Sequence, residues 1–186
     1  MLGHTVIYNL SGKSEATPGI VCAADATGTR ILNGSIRQGN GEHGPACEPI
    51  HFVGDEIAGL SIKYHGPQTS GIVGEAGRVH HNVMIDRGEV VNDRHAGVAA
   101  IDGARIVHHN RLDRVRHRGI NAPSGSTIDR NEIYIDSCAT NSFGILFYKS
   151  RNASATGNRI FGTGYLAIGI GTVSEGVGDI VIAKNF

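Results

Sequence analysis

Two stretches of this chain place an arginine and a histidine shortly before a glycine and an aliphatic residue. They are Arg94-His95-Ala96-Gly97-Val98 and Arg116-His117-Arg118-Gly119-Ile120. An imidazole can act as a general base, and a guanidinium can hold a carboxylate or stabilise negative charge that develops in a transition state. The pattern predicts a catalytic cluster in which His95 or His117 is the base and Arg94 and Arg116 clamp a carboxylate.

Three aspartates, Asp86, Asp113 and Asp136, recur near these stretches. Carboxylates on neighbouring structural units could hold Ca²⁺, or two of them about 5 to 10 Å apart could perform hydrolysis. A solvated row of weak ion pairs is the alternative for all these charged residues. The sequence leaves the three possibilities open.

Two histidine pairs, His80-His81 and His108-His109, each precede an asparagine. If they stack, their imidazoles could coordinate Zn²⁺ or Cu²⁺. The corresponding positions further along are Asp129-Arg130 and Thr156-Gly157, which interrupt the row. We therefore expect a structural or solvent-exposed histidine stack, with metal capture as the alternative.

A repeated phrase indicates the elements that position these side chains. An apolar residue is followed three positions later by an asparagine and five positions later by another apolar residue, at Val79-Asn82-Met84, Val107-Asn110-Leu112, Ile128-Asn131-Ile133 and Ala155-Asn158-Ile160, with Ile182-Asn185 at the last occurrence. A second mark, a small residue followed by an aliphatic one, occurs at Gly19-Ile20, Pro49-Ile50, Gly71-Ile72, Gly97-Val98, Gly119-Ile120, Gly144-Ile145 and Ala167-Ile168. Spacings of this length are typical of stacked supersecondary units.

Each unit is interpreted as a coil of three short strands that buries one side of each strand. Stacked coils bring like residues above like residues, so the asparagines should form a hydrogen-bonded ladder at a tight corner. We predict an all-β, single-domain, single-stranded right-handed parallel β-helix of about seven coils over residues 1–186. The 27 glycines suit a chain that turns three times per coil.

Charge and hydropathy exclude some function classes. The 17 basic and 17 acidic residues balance, which gives no electrostatic support for nucleic-acid binding. No apolar run approaches the length that spans a membrane, and the N-terminus lacks the form of a signal peptide. Neither terminus offers an obvious capping helix, so we expect either a second copy of the chain or further capping segments to cover the end coils.

The chain resembles right-handed parallel β-helix proteins of the pectate-lyase-like superfamily, from about Ile20 onward and most clearly over 71–160. The region 106–148 also looks like the β-helix of certain bacterial glycoside hydrolases. The resemblance implies that the Gly-Ile segments form the first strand of each coil and that an extended polysaccharide binds along this first sheet. It places Asp86, Asp113 and Asp136 in the loops that enter the sheet, at 86–96, 113–118 and 134–143.

The resemblance implies a carbohydrate-active protein that binds and cleaves an acidic polysaccharide, either as a lyase or as a hydrolase. Arg118, Tyr134, Tyr148 and Lys149 are the predicted substrate-binding residues. The sequence assigns no cofactor, and Ca²⁺ is the candidate ion. A non-catalytic structural or sugar-binding module is the alternative. The native location expected for such a protein is secreted or periplasmic.

Overall fold

The computed structural model describes residues 4–8, 19–22, 28–38, 48–64, 70–87, 99–136, 142–171 and 178–186. All regular elements in these ranges are β-strands. They are β1 (His4–Tyr8), β2 (Ile20–Cys22), β3 (Arg30–Gln38), β4 (Ile50–Phe52), β5 (Gly54–Tyr64), β6 (Ile72–Val73), β7 (Ala76–His80), β8 (Val83–Asp86), β9 (Ala99–Asp102), β10 (Ile106–His108), β11 (Arg111–Val115), β12 (Arg118–Asn121), β13 (Thr127–Asp129), β14 (Glu132–Asp136), β15 (Phe143–Tyr148), β16 (Arg151–Thr156), β17 (Arg159–Thr163), β18 (Leu166–Gly171) and β19 (Gly178–Ala183).

The strands form two parallel sheets that wind into a β-solenoid. The first sheet has the order β18-β15-β12-β9-β6-β4-β2. The other, called the corner sheet below, contains twelve strands and runs from β17 through β5 to β19; β3 also pairs with β5, and β1 pairs with β3. The prediction of an all-β parallel solenoid is confirmed. No helix in the described ranges is long and apolar enough to cross a membrane.

The solenoid has about five turns instead of the predicted seven. Seven strands do form the first sheet, one near each small-plus-aliphatic pair, but not every one of them belongs to a coil of three separate strands. The strands β2 and β4 are followed by single long strands, β3 and β5, instead of two separate short ones. A full coil of three separate strands begins only at β6.

Column alignment in the first sheet follows the predicted marks with one correction. Ile20, Ile50, Ile72, Ile120, Ile145 and Ile168 lie in one register column. The remaining member of the column is Ile101 instead of Val98. Ala100-Ile101 is also a small-plus-aliphatic pair, so the sequence offered two equivalent marks three residues apart. The predicted cluster of Arg94, His95, Arg116 and His117 relied on Val98 as the mark, and Arg94 and His95 lie outside the described residues.

The core is a stack of aliphatic side chains that repeats along the solenoid axis. Ile50, Ile72, Ile101, Ile120 and Ile145 are each fully buried in the first sheet. The corner sheet contributes a second buried column, formed by Ile57, Val79, Val107, Ile128 and Ala155. Burial of these side chains is the main favourable term that holds the coils together, because one coil cannot cover its own apolar face.

The corner between the second and third strands of each coil is closed by the predicted asparagine ladder. The Asn82 side chain donates to Asn110 Oδ1 (3.0 Å) and to the Ile57 carbonyl (3.2 Å). Asn110, Asn131 and Asn158 repeat the arrangement, each donating to the next asparagine at 2.9 to 3.0 Å. The ladder satisfies buried backbone groups that the corner withdraws from the sheets.

A left-handed residue precedes each ladder asparagine and makes the corner sharp. The residues are His81 (φ 53°), His109 (φ 53°), Arg130 (φ 49°), Gly157 (φ 64°) and Lys184 (φ 55°). In β5 the equivalent position is Gly59 (φ 68°), and the strand there bends without ending. As a result β5 pairs with β7 through its first half and with β8 through its second half. This is how the second and third strands of later coils belong to one continuous sheet.

Candidate functional site

The predicted charged cluster is divided between a buried histidine and a surface ion pair. His117 is 5% exposed. Arg116 Nη1 lies 3.2 Å from Asp136 Oδ2 and donates to the Asp136 carbonyl at 2.9 Å. Arg114 adds a longer contact of 3.8 Å to the same carboxylate. Asp136 is therefore neutralised by arginines of the neighbouring coil.

The other two predicted aspartates occupy different environments. Asp86 is buried (2% exposed) and lies beside Tyr64 in the register of β5 and β8. Burial, with a further contribution from the Asp86 charge, raises the pKa of Tyr64 well above its ordinary value. Asp113 belongs to β11, not to an entering loop as predicted, because Leu112 continues the buried alternation of that strand. Its carboxylate accepts from Arg111 Nε at 3.0 and 3.1 Å.

Tyr134 lies on β14 of the corner sheet, not in an entering loop at 134–143 as the resemblance implied. Its ring stacks on Phe161 of β17, with centroids 5.0 Å apart and planes inclined by 19°. The Arg111 guanidinium lies 5.2 Å from the Tyr134 ring centre, and Arg159 lies 5.3 Å from that of Phe161. We call this surface, formed by Arg111, Tyr134, Arg159 and Phe161, the aromatic face.

The first sheet carries a polar cluster that joins predicted and unpredicted residues. Asn121 Nδ2 donates to Asp102 Oδ1 at 2.8 Å across the register of β12 and β9. Burial lowers the pKa of the neighbouring Arg118, against the opposing charges of Asp102 and Tyr148. Tyr148 is exposed, and Lys149 Nζ lies 5.7 Å from its ring centre. We call Asp102, Arg118, Asn121, Tyr148 and Lys149 the first-sheet cluster.

Asp102 and Asn121 are the members of this cluster that sequence reasoning missed. Both follow directly after a buried column residue, Ile101 and Ile120 respectively, and so point to the opposite side of the sheet. Burial raises the pKa of Asp102 above its ordinary value of 3.8, while the hydrogen bond from Asn121 and the charge of Arg118 act in the opposite direction. Correct alignment of Ile101 with Ile120 would have paired the two residues from the sequence.

Asp102→Asn is expected to leave stability unchanged or to raise it by less than about 1 kcal/mol near neutral pH, after allowance for solvent screening. The raised pKa means that ionised Asp102 disfavours the folded state at pH values above its folded pKa. This cost disappears as pH falls through the folded pKa towards 3.8, so the variant's advantage should shrink in acid. Denaturant unfolding at several pH values measures the difference in stability between variant and wild type. If this difference favours the variant more at pH 4 than at pH 7, the assignment is wrong.

The two histidine pairs stack as predicted. The His80 and His108 rings are parallel within 5°, with centroids 4.7 Å apart, and the His81 and His109 rings are parallel within 2° at 5.1 Å. Within each pair the Nδ1 atoms face each other, at 2.8 Å for His80 and His81 and at 3.0 Å for His108 and His109. Burial, followed by the neighbouring His80, lowers the pKa of His108.

The carboxylate of Glu56 is hydrogen-bonded to the first of these pairs, His80 and His81. His80 Nε2 donates to Glu56 Oε1 at 2.8 Å, and this hydrogen bond lowers the pKa of Glu56. His81 and His109 also line an open groove of about 530 Å³ along the corner. The groove continues past Arg130 and Arg159 towards the aromatic face.

Comparison of the chain with protein-family models, with curated proteins and with solved structures found no match. The class that the structure itself defines is the parallel β-solenoid with an asparagine ladder.

Proposed function

We propose that this β-solenoid binds an acidic polysaccharide across the outer face of its first sheet, as the resemblance to pectate-lyase-like proteins implies, and that it cleaves the polysaccharide by β-elimination, one of the two chemistries that the resemblance allows. The observation that carries the proposal is the first-sheet cluster. It brings a partly desolvated arginine near a carboxyl group with a raised pKa and near an exposed tyrosine, which a lysine approaches in turn. Perturbed ionisable groups of this kind are concentrated at functional sites.

Each member of the cluster has a role that its surroundings favour. Arg118 is partly buried, so its attraction for a uronate carboxylate is less screened than that of an exposed arginine. Tyr148 offers an exposed ring against which a sugar can pack, and Lys149 adds a second positive charge beside it. Asn121 orients the Asp102 carboxyl by donating to one of its oxygens.

The reaction follows from these roles. Ionised Asp102 removes the proton alpha to the uronate carboxylate, and Arg118 stabilises the negative charge that develops on that carboxylate. The electron pair forms a carbon–carbon double bond as the bond to the glycosidic oxygen breaks, and solvent protonates the leaving oxygen. A raised pKa makes Asp102 a stronger base than an ordinary aspartate. Hydrolysis is less well supported, because Asp86 is buried and Asp113 and Asp136 are held by arginines.

The test measures ultraviolet absorbance and new reducing ends from a panel of pectic, alginate and neutral glycans. An acidic glycan should give unsaturated ends, and Arg118→Gln should lower the rate at least about 100-fold. Arg111→Gln is the matched control, because Arg111 lies on β11 of the corner sheet, outside the first-sheet cluster, in a surface ion pair with Asp113. Equal losses in both variants, or new reducing ends without ultraviolet absorbance, would contradict the elimination.

A sugar-binding module without catalysis is the second candidate, and the aromatic face favours it. Two stacked rings flanked by arginines provide a platform for sugar rings. The charges there are paired, with Arg111 held by Asp113 and Arg159 lying 3.6 Å from Glu132. Glycan retention without turnover, lost in Tyr134→Ala but kept in Arg118→Gln, would establish this candidate in place of the first.

A further inference from the structure

We propose that His80, His81 and His108 bind a divalent transition-metal ion of the Zn²⁺ or Cu²⁺ type. One nitrogen from each of the three residues can be chosen so that all three atoms lie within 4.8 Å of one another. Two imidazole nitrogens on one tetrahedral Zn²⁺ lie about 3.3 Å apart, given Zn–N bonds of about 2.0 to 2.1 Å. The Nδ1 atoms of His80 and His81 are 2.8 Å apart, so this pair is already near the separation that one ion requires, while the stacked ring of His108 has to rotate to direct its nitrogen at the same ion.

The proton arrangement at His80 suits a ligand. Its Nε2 donates to the Glu56 carboxylate at 2.8 Å, and so the lone pair of the neutral ring lies on Nδ1. That Nδ1 faces His81. A carboxylate that fixes the tautomer and orientation of a histidine is the usual outer-shell partner at protein metal sites, where it also strengthens the ligand.

The corner of the solenoid holds the three rings in place. His80 and His108 are aligned in the register of β7 and β10, and the adjacent asparagines Asn82 and Asn110 are joined by the ladder. His81 has a left-handed backbone (φ 53°) that turns its exposed ring towards the groove. An ion can therefore reach the site from solvent, and the backbone that carries the ligands is fixed before it arrives.

His109 provides a comparison within the same stack. It shares the left-handed backbone of His81 and faces His108 at 3.0 Å, yet it does not belong to the set of three whose ligand atoms lie within 4.8 Å. Among the described residues the site thus has three protein ligands, which leaves a coordination position for water or for a small anion.

Calorimetric titration of the chelator-treated full chain with Zn²⁺ tests the proposal. We expect about one ion per chain and at least about 100-fold weaker binding in His81→Asn, which keeps the left-handed backbone because asparagine tolerates it. Glu56→Gln should weaken binding about 10- to 100-fold. His109→Asn should change the affinity by less than about 5-fold, and His51→Gln, whose ring pairs with Glu48, should leave it unchanged.

Co²⁺ provides a second readout, whose first part needs only the wild-type chain. The wild-type chain with Co²⁺ should develop the intense visible absorption of a four-coordinate site, and His81→Asn should abolish it. Circular dichroism of each variant checks that the strands remain formed. No saturable binding at one ion per chain, or equal losses in His109→Asn and His81→Asn, overturns the proposal.

Discussion

Asn110→Ala is expected to lower the free energy of unfolding by about 3 kcal/mol or more, because it interrupts the ladder in its interior. Asn110 is 2% exposed. Its Oδ1 accepts from the backbone and the side chain of Asn82, and its Nδ2 donates to Asn131 and to the Val79 and His108 carbonyls. Alanine leaves several of these buried groups without a hydrogen-bond partner.

Urea unfolding, followed by circular dichroism, measures the effect. Asn185→Ala is the matched control, since Asn185 occupies the same ladder position but is only partly buried and donates to the Ala155 carbonyl alone. We expect a loss no larger than about half of that at Asn110. Similar losses at both positions would show that burial does not determine the contribution of a ladder asparagine.

Gly144→Ala is expected to destabilise the fold by about 2 to 3 kcal/mol through steric overlap. Gly144 is buried in β15, where the coils approach closely. A Cβ there would lie 2.6 Å from the Ala167 carbonyl oxygen and 2.7 Å from Ile160 Cγ2. The Ala167 carbonyl belongs to β18, which is paired with β15, so the carbonyl cannot move away from Gly144 without loss of that pairing.

Gly178→Ala separates this overlap from the general effect of replacing a glycine. Gly178 is also at a strand position without a left-handed backbone, but a Cβ there meets no atom of the described residues within 4 Å. Its substitution should be neutral or slightly stabilising, because alanine restricts the unfolded chain. Thermal unfolding of the two variants should therefore differ by several degrees, and equal midpoints would exclude the steric explanation.

The fold could be predicted because the repeat converts a linear pattern into columns. Val79, Val107, Ile128, Ala155 and Ile182 occupy one register column, as the asparagine phrase predicted. Buried positions tolerate few residue types, so the phrase recurs in the coils from β7 onward. The continuous strand β5 could not be foreseen, since Gly59 bends the chain at a position where no asparagine marks a corner.

The candidate site was predicted less well, because outward-facing residues follow no repeated phrase. Val98 and Ile101 both fit the repeated mark, and periodicity did not show which of the two aligns with Ile120. That alignment determines which outward-facing side chains are neighbours. Stacking of the histidine pairs was predictable from adjacent ladder phrases. Contact between Glu56 and His80 was not, because β5 lacks the phrase that aligns the later coils.

The left-handed residue before each ladder asparagine has a consequence for how this protein can vary. Histidine, arginine, glycine and lysine all occupy the position, while the amide beside it keeps the same bonds. The exposed side chains at this position, which lie about 4.8 Å apart from coil to coil, can therefore be substituted without disturbing the ladder. The chemistry displayed along this line of side chains can therefore change from one coil to the next while the hydrogen bonds of the ladder stay the same.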